Sequence, residues 1–151
     1  MHLLHQLTVA AVLVTLTLSL QSTGLASFVV WARGYFAKNT SRLGIVRCAR
    51  LVVRVTNAML VLQLLEIALW AAFCRWKCFP SWDPALYFSA TSYSTVGYGD
   101  LLLPGTWRFL GPIEGVTGAL MCGLSASVLF AIMARLVRHE ERFLREIADP
   151  I

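Results

Sequence analysis

Three long apolar stretches and one short one organise this chain of 151 residues. Residues 7–31 are apolar or weakly polar, and residues 51–74 and 110–137 repeat that pattern. As helices, these stretches would each be about 36 Å long or more, enough to cross a hydrocarbon core of about 30 Å. The pattern therefore predicts an all-α membrane protein with three transmembrane helices.

The short stretch lies between the second and third long ones. Asp83 followed by Pro84 is a helix-start signal, with Asp83 as the N-cap and Pro84 at the first helical position. A helix over residues 84–94 would be only about 16 Å long, which is too short to cross a membrane. We therefore predict a re-entrant helix whose C-terminal, negative end points toward the bilayer centre and favours a cation.

Composition agrees with this class. The chain is 58% hydrophobic and 14% charged, with a mean hydropathy of +0.68, as expected where the solvent is largely lipid. The net charge is +5, and the basic residues lie beside the apolar spans rather than along a soluble face. This distribution favours phospholipid head groups over nucleic acid as a partner. The three histidines are isolated near the chain ends, and no catalytic constellation or cofactor site is predicted.

The charge distribution also predicts an orientation in the cell membrane. The linker at residues 33–50 and the start of the second span carry basic residues and no acidic ones: Arg33, Lys38, Arg42, Arg47, Arg50 and Arg54. By the positive-inside rule this linker is cytoplasmic, and so is the tail at residues 139–151. With three spans, the N-terminal helix at residues 1–32 must then begin outside. Anionic head groups are the expected partner of the basic linker.

The four cysteines do not predict a zinc site. Cys48, Cys74, Cys78 and Cys122 lack paired Cys-x-x-Cys spacing and have no nearby histidines. Cys74 and Cys78 lie on the predicted external side, where a disulfide is permitted. Four residues apart on one helix is an awkward disulfide geometry, which favours two free thiols.

The chemistry of the chain is concentrated directly after the short helix, in the run Thr95, Val96, Gly97, Tyr98, Gly99, Asp100. Glycines at alternate positions adopt positive φ without steric penalty, so consecutive carbonyls can turn toward one axis. Such carbonyls can replace the water around a dehydrated potassium ion. The Thr95 hydroxyl can add an oxygen layer, while Val96 and Tyr98 would point away from the axis.

These residues resemble the selectivity filter of the potassium channel pore-domain family, and the resemblance covers residues 82–137. It implies a small bacterial-type channel with an extra N-terminal helix and a pore domain at residues 51–138. The implied parts of that domain are an outer helix at 51–74, a pore helix at 84–94, a filter at 95–100 and an inner helix at 110–137. Potassium would bind at Thr95, Val96, Gly97 and Tyr98, with Gly99 completing the filter and Asp100 at the outer mouth. One loop per chain implies a homotetramer.

The resemblance also bears on alternative functions. In the family, a voltage sensor belongs to a four-helix domain, so lipid anchoring is the better interpretation of Arg47, Arg50 and Arg54. A weakly selective cation channel is the nearest alternative function, and a non-conducting assembly or regulatory partner is another.

Two carboxyls are candidates for supporting the filter, and two glycines are candidates for a gating hinge. Glu66 lies inside the second span, where it can bond pore-helix hydroxyls such as Thr91 and support the filter, or be a satisfied structural carboxyl. Glu114, near the outer end of the third span, is placed to bond the loop backbone. Gly118 and Gly123 lie where the family's inner helix often bends, although small residues also serve helix packing.

Overall fold

The computed structural model describes residues 2–38 and 44–148, and four α-helices account for most of them. Helix α1 spans His2–Lys38, α2 spans Ile45–Lys77, α3 spans Trp82–Tyr93 and α4 spans Leu110–Ala148, with a 3-10 turn at Gly105–Trp107 before α4. Three segments are long and apolar enough to cross a membrane: Leu3–Tyr35, Val46–Lys77 and Gly105–Arg138. The predicted all-α class with three spanning helices is confirmed.

The basic linker is shorter than the sequence pattern indicated. Helix α1 continues to Lys38 and α2 begins at Ile45, so Arg33 lies on α1, and Arg47 and Arg50 lie on α2. Helical backbone continues past an apolar span wherever local propensity allows it, and arginine is a good helix former. Arg42 falls outside the described residues, as do the last three residues of the predicted tail.

The start of α3 differs from the prediction by two residues. Ser81 occupies the N-cap position with extended backbone, and Asp83 and Pro84 lie inside the first turn rather than at the cap and first position. Proline is tolerated there because first-turn N–H groups have no partner within the helix. With 12 residues, α3 is about 18 Å long, which is too short to cross a membrane.

Helix α1 runs parallel to α4 and antiparallel to α2. Its N-terminal His5 ring lies 5.5 Å from the Trp107 ring, while Gln21, further along, reaches Met121 and Ser125 of α4. The buried Gln21 amide donates to the Met121 carbonyl at 3.0 Å and to the Ser125 hydroxyl at 2.9 Å. Such bonds between helices are effective contacts where lipid supplies no polar alternative.

Two buried apolar clusters hold the helices together at opposite ends. The first surrounds α3 and includes Trp70, Ala85, Phe88, Tyr93, Leu110 and Met121. The second joins α1, α2 and α4 toward their other ends and includes Ala32, Leu51, Val55, Met59, Ile132 and Leu136. Within the first cluster, the Trp70 indole donates to the Thr17 hydroxyl at 3.0 Å, which ties α1 to α2. One face of α3 is therefore packed against α2 and α4 at one end of the molecule, while Trp82, Leu86 and Tyr87 are exposed.

Candidate ion-conducting loop

The backbone of the 95–100 loop alternates between two conformations. Thr95, Gly97 and Gly99 have φ values of 61°, 51° and 77°, whereas Val96 and Tyr98 between them do not have positive φ. A left-handed residue at every second position turns successive carbonyls toward the same side of the loop. The left-handed conformation of Thr95 is unusual, because a β-branched side chain disfavours it. The sequence predicted positive φ at the two glycines but not at Thr95.

Two backbone hydrogen bonds attach the loop to the C-terminal end of α3, and a third closes that helix end. The Gly97 amide donates to the Thr91 carbonyl at 3.0 Å, and the Thr95 amide donates to the Ser92 carbonyl at 3.0 Å. The Ser94 amide donates to the Ala90 carbonyl at 3.1 Å and closes the last turn of the helix. Carbonyls at the end of a helix have no partner within it, so these bonds satisfy both the helix end and the unwound loop.

The outer end of the loop is fixed by Asp100. One carboxylate oxygen accepts a hydrogen bond from the Tyr87 hydroxyl of α3 at 2.8 Å, and the other accepts from the Leu101 amide at 3.1 Å. The hydrogen bond to Asp100 raises the pKa of the Tyr87 phenol, because it favours the protonated donor. Both ends of the 95–100 loop are thus attached to the same short helix.

Glu66 bonds a hydroxyl of the short helix, as expected, but that of Tyr93 rather than that of Thr91. Its side chain is fully buried, and it accepts a hydrogen bond from the hydroxyl of Tyr93, the last residue of α3. Thr91, the example given from the sequence, is not the partner, because its hydroxyl donates to carbonyls of its own helix, those of Tyr87 and Phe88, each at 3.0 Å. A short hydroxyl side chain reaches the preceding turn more easily than another helix. Tyr93 was not singled out from the sequence.

Glu114 is fully buried beside α3 rather than at the loop. Neither carboxyl oxygen has a hydrogen-bond partner among the described residues, and the same is true of the nearby Ser89 hydroxyl. The expected bond from the loop backbone to Glu114 is therefore absent from this part of the chain. Cys74 of α2 lies near Glu114 as well, which places this carboxyl between three helices.

Glycines on one face of α4 let α3 approach closely. A Cβ at Gly111 would lie 3.3 Å from the Phe88 ring, and one at Gly115 would lie 3.1 Å from the Ser92 carbonyl oxygen. At Gly118 a Cβ would overlap the Tyr93 carbonyl, so only glycine fits there. Nothing lies within 4 Å of the Cβ position at Gly123. Gly118 therefore has a packing role, while the Cβ position of Gly123 is open within the chain.

The cysteines and other possible ligands do not form a metal site in the part of the chain that the structure describes. No group of three or more His, Cys, Asp or Glu side chains is placed to hold a metal ion there. Cys74 is buried and Cys78 is half-buried, and both thiols are free.

A comparison with protein families decides the class of this chain. A family model described as "Ion channel" matches residues 58–135, which is 78 of the 151 residues. The chain belongs to this ion channel family. No curated protein and no solved structure matches it. The matched part of this ion channel contains most of α2, all of α3, the 95–100 loop and much of α4, while α1 lies outside it.

The two α4 glycines give a direct test of how the channel supports its loop. We expect Gly118→Ala to lower the thermal stability of the detergent-purified channel, because overpacking of this kind costs about 1–3 kcal/mol. Gly123→Ala is the matched control, since its new methyl group meets nothing within the chain. Melting would be followed by tryptophan fluorescence. Equal melting temperatures for the two variants would contradict the packing role of Gly118.

Proposed function

We propose that this ion channel conducts potassium selectively and passively through a filter made by four copies of the 95–100 loop. The observation that carries the proposal is the alternation of positive φ at Thr95, Gly97 and Gly99 at the end of a half-spanning helix. Unwound backbone at membrane depth is tolerated only where it is buried in protein or lines a water-filled path. Carbonyls arranged in this way replace the hydration shell of a potassium ion.

Each chain contributes one wall of the filter. Carbonyls from Thr95, Val96, Gly97 and Tyr98 would form the ion sites, with the Thr95 hydroxyl at the inner end and Asp100 at the outer mouth. One loop supplies oxygens on one side of an ion, and surrounding the ion requires several copies about a common axis. The exposure of Val96 and Tyr98, at 52% and 72%, supports assembly, because neighbouring chains would cover these side chains. A homotetramer is the proposed state.

The residues behind the loop have proposed supporting roles. Glu66 acts through Tyr93, which ends α3 at the point where the loop begins. Thr91 contributes its carbonyl to the Gly97 amide rather than its hydroxyl to Glu66. Glu114 lies beside Ser89, one helical turn before Tyr93 on the same face of α3, and near Cys74 of α2, so its proposed role is to support this part of α3. Gly123 remains the candidate for a bend in α4, since its surroundings within the chain are open.

The proposed channel lies in the cell membrane with its N-terminus outside and its C-terminus in the cytoplasm. The parallel arrangement of α1 and α4 supports this, because both helices then run inward from the side on which the loop opens. The basic residues at the end of α1 and the start of α2 fall on the cytoplasmic side, as the positive-inside rule requires.

A single glycine tests the filter. Gly97 has a φ of 51°, and a left-handed residue with a Cβ is disfavoured by about 1–2 kcal/mol in each chain. We expect Gly97→Ala to reduce potassium flux into proteoliposomes by at least about tenfold while the oligomer persists. Gly105→Ala is the matched control, because its Cβ also meets nothing within 4 Å but its φ is not left-handed. Undiminished flux in Gly97→Ala would mean that the loop is not the filter.

A peptide tag at the N-terminus tests the orientation. We expect an antibody to reach a tag placed before His2 on intact spheroplasts, because α1 would begin outside. A tag after the last residue should be reached only after permeabilisation. The reverse pattern of labelling would refute the proposed orientation.

A further inference from the structure

Two neighbouring cavities follow the groove between α1 and α2. One, of about 180 Å³, is lined by Tyr35 of α1 and by Arg47, Arg50, Leu51 and Arg54 of α2. The other, of about 280 Å³, is lined by Ser27, Phe28 and Trp31 of α1 and by Arg54 and Val55 of α2. Because Arg54 borders both, the two cavities adjoin along the groove, one basic and one largely apolar.

The basic cavity concentrates positive charge. Arg47, Arg50 and Arg54 are three and four residues apart on α2, so they share one face of the helix, and all three line this cavity. The sequence contains no acidic residue between Arg33 and Arg54 that could neutralise them. Arginine side chains present forked donors that match the oxygens of a phosphate group.

The second cavity offers apolar surface next to that charge. Ser27 and Phe28 lie one turn of α1 before Trp31, which lies one turn before Tyr35, and the Trp31 and Tyr35 rings stack with centroids 5.7 Å apart. Val55 closes the cavity from α2 and is buried. A ligand that fills both cavities must therefore carry an anionic head and an apolar tail.

The position of the groove in the membrane identifies the class of ligand. The spanning segments end at Tyr35 on α1 and begin at Val46 on α2, so the basic cavity lies at a membrane boundary. The apolar cavity lies about one to two turns deeper, at Ser27 to Trp31. Phosphate at the boundary and hydrocarbon below it is the arrangement of a phospholipid in a bilayer.

We infer that the groove between α1 and α2 binds one anionic phospholipid per chain. Its phosphate lies among Arg47, Arg50 and Arg54, and the upper part of an acyl chain lies against Phe28, Trp31 and Val55. This goes beyond general attraction of a basic linker to a charged surface, because both helices and both cavities take part. The site contains no residue of the 95–100 loop, so a failure of the lipid proposal would leave the proposed potassium selectivity untouched, and the reverse also holds.

Native mass spectrometry of the detergent-purified channel tests the site. Dioleoyl phosphatidylglycerol and dioleoyl phosphatidylcholine would be titrated separately, and the bound lipids per chain counted. We expect the wild-type chain to bind one phosphatidylglycerol at least about tenfold more tightly than phosphatidylcholine. The double variant Arg47→Gln/Arg50→Gln should lose that preference.

A charge-matched control distinguishes binding in the groove from non-specific attraction of an anionic lipid to the positive charge of the chain. Arg33→Gln/Arg138→Gln removes two exposed arginines that line neither cavity, and it should keep the preference for phosphatidylglycerol. Equal loss in both double variants, or retention in Arg47→Gln/Arg50→Gln, would overturn the inference.

A third variant distinguishes a lipid from a free anion. Ser27→Phe fills the apolar cavity without changing any charge, so it should weaken phosphatidylglycerol binding at least about fivefold. Inorganic phosphate should compete poorly with the lipid. Unchanged lipid binding in Ser27→Phe, together with competition by phosphate alone, would show a simple anion site and would contradict the proposed lipid.

Discussion

An unwound backbone at membrane depth must find partners for its amides while leaving its carbonyls available to an ion. In this ion channel the amides of Thr95 and Gly97 bond to carbonyls at the end of α3. The same bonds satisfy carbonyls at the helix end, which have no partner within the helix. The conformation of the loop therefore depends on α3, and α3 depends on close contact with α4, where Gly118 leaves room for the Tyr93 carbonyl. Support passes from the spanning helices to the loop through one short helix.

Helix α1 adds a second layer of support outside the part of the chain that matches the family. Gln21 bonds α4 on both sides of Gly123, at Met121 and Ser125, and Thr17 accepts a bond from Trp70 of α2. Any change in α4 near Gly123 must therefore be accommodated by α1. Helix α1 has a second role, because it forms with α2 the groove whose two cavities we infer to bind a lipid.

Much of the architecture follows from the sequence, and the differences have physical causes. The lengths of the apolar runs predicted the three spans, and the glycines at 97 and 99 predicted the left-handed positions. Helix ends were placed less well, because Ser81 and Asp83 are both acceptable caps and local sequence does not choose between them. The buried carboxyls were recognised as unusual, but their partners depend on how helices rotate against each other. For that reason Tyr93 was missed as the partner of Glu66, and Glu114 was placed too close to the loop.

The central claim is that backbone carbonyls of the 95–100 loop discriminate between ions. The most direct measurement is the reversal potential of the purified channel in a planar bilayer, with potassium on one side and an equal concentration of sodium on the other. Selectivity for potassium predicts a reversal potential displaced from zero by more than about 59 mV, the shift for a tenfold ratio of permeabilities. A reversal potential near zero would contradict the account and indicate a weakly selective cation pore.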